Sequence, residues 1–278
     1  MLEVFPIIRE GVHLMFFVIE DRLREVARES IKGSRKQYVA ILTREEWKLT
    51  GDSFEMGIDI EQEVPEIFMT KADVNYDSLT GTFSIPDRNN PSGEDFQFAF
   101  VLDEKGVIFI DDGDSALKII KGIQRTKKWK FPSLERFLYD FMDQIVKDDL
   151  RLMEKYEDEF DICPYCGSTN VHVTYDSMEQ AIIDGDENLP SGRLNDIRND
   201  IRYLRIHYEQ LMDLAQEFEE NENNFFDIDN LRYFRLFISR ASRLRDTSMS
   251  LRDYTMQLRD LYKAHLDIKQ NRIMTVLT

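Results

Sequence analysis

The sequence predicts an α+β protein: a mixed domain to about residue 130, then long antiparallel helices, then a long C-terminal stalk helix. Three observations predict it. Short β-rich runs alternate with short helical signals before Pro132. After it, apolar residues recur at helical spacing. From Asp227 to Thr278 neither Pro nor Gly interrupts the chain. We divide the chain into an N-terminal segment at 1–34, a mixed domain at 35–131, paired helices at 132–226 and a stalk at 227–278.

In chain order, "EDRLREVARESIKGSRK" is amphipathic and reads as a helix or as a strand followed by a helix. "KQYVAIL" reads as a strand. Thr43 follows as a helix cap, and Glu46 three residues on completes a capping box. "EIFMT" and "TGTFSIPD" read as strands parted by Asp and Asn turn residues. "DFQFAFVLDEKGVIFIDDG" is a hairpin, with Gly106 placed where the turn wants a positive φ. "DSALKIIKGIQ" is a short helix opened by Asp114 or Ser115.

Ser133 caps a helix whose apolar residues are Leu134, Phe137, Leu138, Phe141, Ile145, Val146, Leu150 and Met153. A second long helix is expected from about Arg193 to Phe226, with Leu194, Ile197, Ile201, Leu204, Tyr208, Leu211 and Leu214 on one stripe. The third starts at Asp227 or Asp229. At 1.5 Å per residue its roughly fifty residues make a rod of about 75 Å, which points to a coiled coil or a stalk approaching a membrane.

The formal net charge is −17, which repels phosphate backbones, attracts divalent cations and argues against a nucleic-acid partner. The N-terminal apolar runs are broken by Arg9, Glu10 and His13 and lack the features of a signal peptide. No run approaches the ~20 apolar residues that span a bilayer. As given, the sequence reads as soluble, or as a soluble piece of something larger.

Two cysteines, Cys163 and Cys166, suit a reducing compartment. They lie in "DICPYCGSTNVHVTYDS", an insertion at 162–176 in the paired helices. Cys-x-x-Cys-Gly has the shape of a zinc knuckle, with His172 as a third ligand for Zn²⁺ and only Asp161 or Asp176 as poor fourths. A redox pair and a plain exposed loop are the other readings.

The stalk carries a seven-residue beat: Leu244-Arg245-Asp246, Leu251-Arg252-Asp253, Leu258-Arg259-Asp260, then His265-Leu266-Asp267. Such spacing keeps each residue type on one face. The Leu column is a packing seam. The Arg and Asp columns can pair within or between helices. In a symmetric oligomer, Asp246, Asp253, Asp260 and Asp267 would stack as acidic rings suited to hydrated divalent ions. An ordinary coiled coil with solvated charges is the plainer alternative. The ending "QNRIMTVLT" turns apolar after Arg272, as a helix arriving at a bilayer would.

With that ending, the stalk "NLRYFRLF…LRDLYKAHLDIKQN", the two acidic helices, "SLERFLYDF" and the "FAFVLDEKGVIFI" hairpin, the sequence resembles the CorA family of magnesium and cobalt channels. The resemblance implies a homopentamer in the cell membrane, with this portion on the cytoplasmic side and the membrane met through residues beyond Thr278. It also implies an N-terminal α/β/α sandwich, paired "willow" helices, and a stalk running into the first transmembrane helix. The family's Gly-Met-Asn signature would follow Thr278. Transport of Mg²⁺ (with Co²⁺ or Ni²⁺) would be gated by cytosolic Mg²⁺ bound between subunits. Asp260, Asn271, Met274 and Leu277 would face the pore, with Met274 and Leu277 in a hydrophobic gate.

Where family members carry a sensor Asp after Tyr-Phe-Arg, this chain has Leu236. Asp87, with Asp246 or Asp253, is the substitute set for regulatory Mg²⁺.

No G-x-S-x-G, Walker or dinucleotide pattern appears. His13, His172, His207 and His265 are scattered, and no enzyme is expected. The alternatives are a zinc-transporting relative of the same fold, or a soluble coiled-coil metal sensor or scaffold without a pore.

Overall fold

In the computed structural model the structure describes residues 14–31, 35–56, 69–161 and 191–277. The strands are β1 (Met15–Ile19), β2 (Leu23–Val26), β3 (Tyr38–Leu42), β4 (Lys71–Val74), β5 (Leu79–Ile85), β6 (Phe96–Leu102) and β7 (Gly106–Ile110). The helices are α1 (Arg44–Thr50), α2 (Ser115–Thr126), α3 (Leu134–Ile145), α4 (Asp149–Asp161), α5 (Ser191–Glu220) and α6 (Arg232–Leu277). The predicted α+β class is what the chain adopts.

The seven strands form one sheet in the order β2-β1-β3-β7-β6-β5-β4. Neighbours are antiparallel except β3 and β7, which are parallel. A central strand buried on both faces needs an unbroken apolar run. "YVAIL" and "GVIFI" are such runs, and every residue of both is buried. Tyr38, Ala40 and Leu42 join Ile108, Ile110, Ala99, Val101 and Trp47 of α1 in the core on one face. The alternate residues meet an aromatic cluster on the other. There Phe141 of α3 stacks on Phe109 with centroids 4.5 Å apart, and Phe83, Phe98 and Phe137 surround them.

Local signals explain several elements. Thr43 accepts from the Glu46 amide at 3.2 Å, and Glu46 accepts from the Thr43 amide at 2.7 Å, the predicted capping box. Ser133 accepts from Arg136 N–H at 3.2 Å. Asp227 accepts from Asp229 N–H at 2.9 Å and opens a short 3₁₀ turn before α6.

Other expectations are corrected. Gly106 is the first residue of β7. It is needed for close approach, since a Cβ there would lie 2.3 Å from the Tyr38 carbonyl oxygen of the paired strand. Asp103 closes the hairpin turn, accepting from Lys105 and Gly106 N–H. Helix α2 does open at Ser115 with Asp114 as its N-cap residue, but the side-chain cap comes from Asp111, which accepts from Gly113 N–H at 2.8 Å and Ala116 N–H at 2.7 Å. The strand before β5 among the described residues is Lys71–Val74; of "EIFMT", residues 66–68 lie outside the described residues. The segment 23–30 is a strand followed by a short 3₁₀ turn.

The helix after Ser133 breaks at 146–148 into α3 and α4. Leu150 is 52 % exposed. The break resets the stripe: α4 buries Asp149, Leu152, Met153 and Tyr156, and Leu150, one residue and about 100° round from Asp149, falls off that face. Helix α5 stops at Glu220, before Phe226, because Asn221 takes a left-handed conformation (φ 50°). Its amide side chain then closes the loop on Phe226 N–H and C=O.

Two compact units result. One holds Met1–Ile85, Phe96–Ile145 and Gln210–Ile238; the other holds Pro86–Asp95, Val146–Glu209 and Ser239–Thr278. They cut across the sequence boundaries at 131 and 226. In the first unit, Glu135 of α3 is buried and accepts from Asp227 N–H at 2.7 Å and Asn230 Nδ2 at 3.3 Å, holding the start of the stalk.

Candidate functional site

Helix α6 has 46 residues and runs about 69 Å at 1.5 Å per residue. Phe237, Ala241, Leu244, Ser248, Leu251, Thr255 and Leu258 follow a 4-3 heptad alternation and are all buried within the single chain. Large residues fill one column of this seam and small ones the other. Ser248 and Thr255 hydroxyls donate to the carbonyls of Arg245 and Leu251 in their own helix, so their burial leaves no polar group open.

About half a turn around α6 lies a second, exposed stripe. At 3.6 residues per turn, positions 246, 253, 260, 267, 271 and 274 fall within about 80° of one another. Asp246, Asp253, Asp260, Asp267, Asn271 and Met274 are all exposed. The structure thus gathers on one face five residues predicted from the sequence as pore-lining or metal-binding, together with Asp267 of the same beat. The side chains of Leu277 and His265 lie outside the described residues.

Each upper carboxylate is held by the preceding Arg of the same chain. Arg245 Nη2 is 2.9 Å from Asp246, Arg252 Nη2 is 2.7 Å from Asp253, and Arg259 Nη2 is 3.6 Å from Asp260. Ion pairs this exposed are worth about 1 kcal/mol or less. They trim the negative field without abolishing it, and Asp260 is the most loosely held.

Asp87 sits in the turn after β5. Its Oδ1 accepts from Asn89 N–H at 3.0 Å and Asn89 Nδ2 at 3.2 Å, so the carboxylate shapes its own turn. Among the described residues no group of three or more His, Cys, Asp or Glu is placed to hold a metal. Asp87, Asp246 and Asp253 are therefore not assembled into such a group within one chain. Leu236 is exposed on α6. Cys163, Cys166 and His172 lie outside the described residues.

A polar anchor was missed in the sequence. Asp149, at the start of α4, is buried; it accepts from Arg88 Nε at 2.7 Å and from the Tyr208 hydroxyl at 3.1 Å. This fastens the 86–95 turn, which carries Asp87, to α4 and α5. Burial raises the Asp149 pKa, opposed by Arg88 and by the Tyr208 hydrogen bond. Burial and the facing carboxylate push the Tyr208 phenol well up. Nearby in the same unit, Tyr156 donates to Asp200 at 3.0 Å. The only local signal for the anchor was the acidic doublet Asp148-Asp149 in an apolar-periodic segment, which reads equally well as solvated charge.

The class these features define is an α/β/α domain feeding a long heptad helix with one acidic exposed face. Comparisons with known proteins narrow it. The family model for CorA-like Mg²⁺ transporter protein matches residues 168–278. No curated protein matches the chain in sequence. Among solved structures, full-length CmaX superposes with a TM-score of 0.71 at 15% identity, covering 97% of this chain and 83% of that one. The complete CorA magnesium transporter from Methanocaldococcus jannaschii gives 0.69 at 14% identity, covering 95% and 80%. The ZntB cytoplasmic domain from Vibrio parahaemolyticus gives 0.61 at 10%, covering 92% and 98%. The family-model match thus covers the C-terminal part of the chain, and the fold over nearly all its length is like that of the CorA soluble domain. Among the described residues no helix is long and apolar enough to cross a membrane.

Proposed function

We propose that the chain is the cytoplasmic portion of a CorA-type divalent cation channel that moves Mg²⁺, and Co²⁺ with it, across the cell membrane. One observation carries the reading: the seam of α6 is covered by its own chain, while the opposite face presents Asp246, Asp253, Asp260, Asp267, Asn271 and Met274 in a single exposed line. A helix whose apolar side is already satisfied, and whose outer side is a ladder of carboxylates, is suited to surround an axis with copies of itself.

In a homopentamer five such lines would ring a cation path. Mg²⁺ keeps most of its water and takes carboxylates largely through that shell. Asp260 would collect hydrated ions at the cytoplasmic mouth. Asn271 would replace part of the shell, and Met274 with Leu277 would form the dry constriction. Cytosolic Mg²⁺ between subunits, on Asp87 with Asp246 or Asp253 of a neighbour, would screen their mutual repulsion and hold the closed state. Its loss would let the copies splay and open the gate. The chemistry is transport, with no covalent step.

The test is uptake. Expressed from its native gene in bacteria lacking their own Mg²⁺ uptake systems, the protein should restore growth at low Mg²⁺. Asp260→Lys should abolish the rescue. Failure to rescue, with the protein present in the membrane, would sink the channel reading. Transport of Zn²⁺ in place of Mg²⁺ would move it to the zinc-transporting relative.

A further inference from the structure

The first compact unit is electrically lopsided. Its sheet places β2, β1 and β3 toward one edge and β5 and β4 at the other. At the first edge, hydrogen bonds draw three connecting segments together. Trp129 N–H donates to Asp21 C=O at 2.7 Å, tying the α2–α3 linker to the β1–β2 turn. Gln37 Oε1 accepts from Leu134 N–H at 2.8 Å, tying the start of β3 to the start of α3. These segments expose Arg22, Arg24, Arg35, Lys36, Lys128 and Lys130. Glu20 and Asp21 engage Arg24, and Glu20 engages Lys36. Arg22, Arg35, Lys128 and Lys130 make no ion pair among the described residues. Beside them Phe131 is 67% exposed, with Lys130 Nζ 5.3 Å from its ring centre.

The other edge has the opposite sign. Asn223 Nδ2 donates to Asn75 C=O at 2.6 Å, which brings the region after α5 to the β4–β5 turn. Asp73, Asp213, Glu217, Glu220 and Glu222 crowd there. Burial and then these four neighbours raise the Glu217 pKa, a mark of like-charge crowding. Lys71 answers Asp73 at 2.6 Å and Arg235 answers Glu219 at 2.6 Å. Tyr76, at the tip of the turn, is 94% exposed.

We propose that the basic edge of one copy, at Arg22, Arg35, Lys128, Lys130 and Phe131, docks on the acidic edge of a second copy, at Asp213, Glu217, Glu220, Glu222 and Tyr76. This rests on the oligomeric reading above and deepens it by naming the contact. A protein of net charge −17 repels lipid phosphate and nucleic acid. A complement to this basic edge is its own acidic surface. Two different patches meeting head to tail form a heterologous contact, which closes into a ring when the rotation per copy allows. Charges at the rim set register and association rate, and each exposed aromatic supplies apolar area beside them.

The experiment is sedimentation velocity on the chain at low ionic strength. Lys128→Glu with Lys130→Glu should weaken self-association about tenfold or more, and Glu220→Lys with Glu222→Lys likewise. All four together should restore it to within about threefold, because the signs are complementary again. In about 1 M NaCl, where the Debye length is about 3 Å, the wild type should associate far less. All four positions are exposed, so melting temperatures should stay near wild type. A monomeric wild type, association indifferent to both pairs, or a fourfold variant weaker than either pair would overturn the proposal. If uptake by the native protein survives while any of these holds, the contact is wrong and the channel reading stands.

Discussion

The Tyr208 hydroxyl donates to Asp149 at 3.1 Å while Arg88 Nε reaches the other carboxylate oxygen at 2.7 Å. Three segments distant in sequence meet on one buried carboxylate. Tyr208→Phe deletes a hydrogen bond to a charge and should cost about 1.5 kcal/mol in urea unfolding. Arg88→Met leaves the carboxylate buried without its cation. Because Arg88 is itself 39% exposed, the cost should be roughly 1–2 kcal/mol, below that of a fully buried pair. Adding Asp149→Leu to Arg88→Met should recover most of the loss. A double variant weaker than Arg88→Met would show that the pair stabilises the fold outright.

The same carboxylate predicts a pH dependence. Burial raises its pKa in the folded state, so the folded chain keeps this proton to higher pH than the unfolded chain does. From the ordinary value near 3.9 up to the raised one, the group's contribution to stability therefore falls as pH rises. Asp149→Asn, of similar shape and without charge, should remove that slope. Urea midpoints measured between about pH 4 and 7 should show the wild type losing ground to the variant. A wild type that gains instead would mean Arg88 outweighs burial.

Asp111 and Asp114 separate two accounts of one helix start. Asp111→Ala should cost about 1–2 kcal/mol, because two amides lose their acceptor. Asp114→Asn, which suits the left-handed backbone there (φ 58°), should change the urea midpoint little. Equal losses would refute the assignment of the cap.

Gly106→Ala should be costly although its backbone needs no unusual φ. The added methyl meets a backbone oxygen of the adjoining strand at 2.3 Å, and backbone cannot rotate aside. A loss of about 2 kcal/mol or more is expected. Gly113→Ala is the control, since its nearest neighbour would be 3.5 Å away.

Mg²⁺ should raise the melting temperature at millimolar concentration, by about 1.4 kcal/mol of stability at ten times the dissociation constant. Asp246→Asn with Asp253→Asn should shrink the shift. No shift in the wild type would remove Mg²⁺ from any sensing role on this stripe.

What was legible in the sequence was local. "KQYVAIL", the Thr43 capping box, the 96–110 hairpin and the heptad of α6 each announce themselves within one unbroken stretch of chain. The exposed stripe follows from the same heptad, since period fixes face. The misreadings depend on distant partners. Gly106 is constrained by Tyr38, sixty-eight positions earlier. Asp149 is an exposed-looking acid until Arg88 and Tyr208 arrive. Leu150 lies past the break at 146–148, which starts a new helical face that its spacing from Phe141 does not foretell.

The Arg–Asp neighbours along α6 have one more consequence. A divalent ion that settles on Asp246 or Asp253 competes for the carboxylate with a guanidinium anchored one residue away. That rival's local concentration is set by the chain and not by the buffer. Loading the ladder is therefore an exchange reaction, as on a resin supplied with its counterion already grafted. Binding should respond to monovalent salt less than a bare row of carboxylates would, and each ion taken up leaves a freed guanidinium to find another anion.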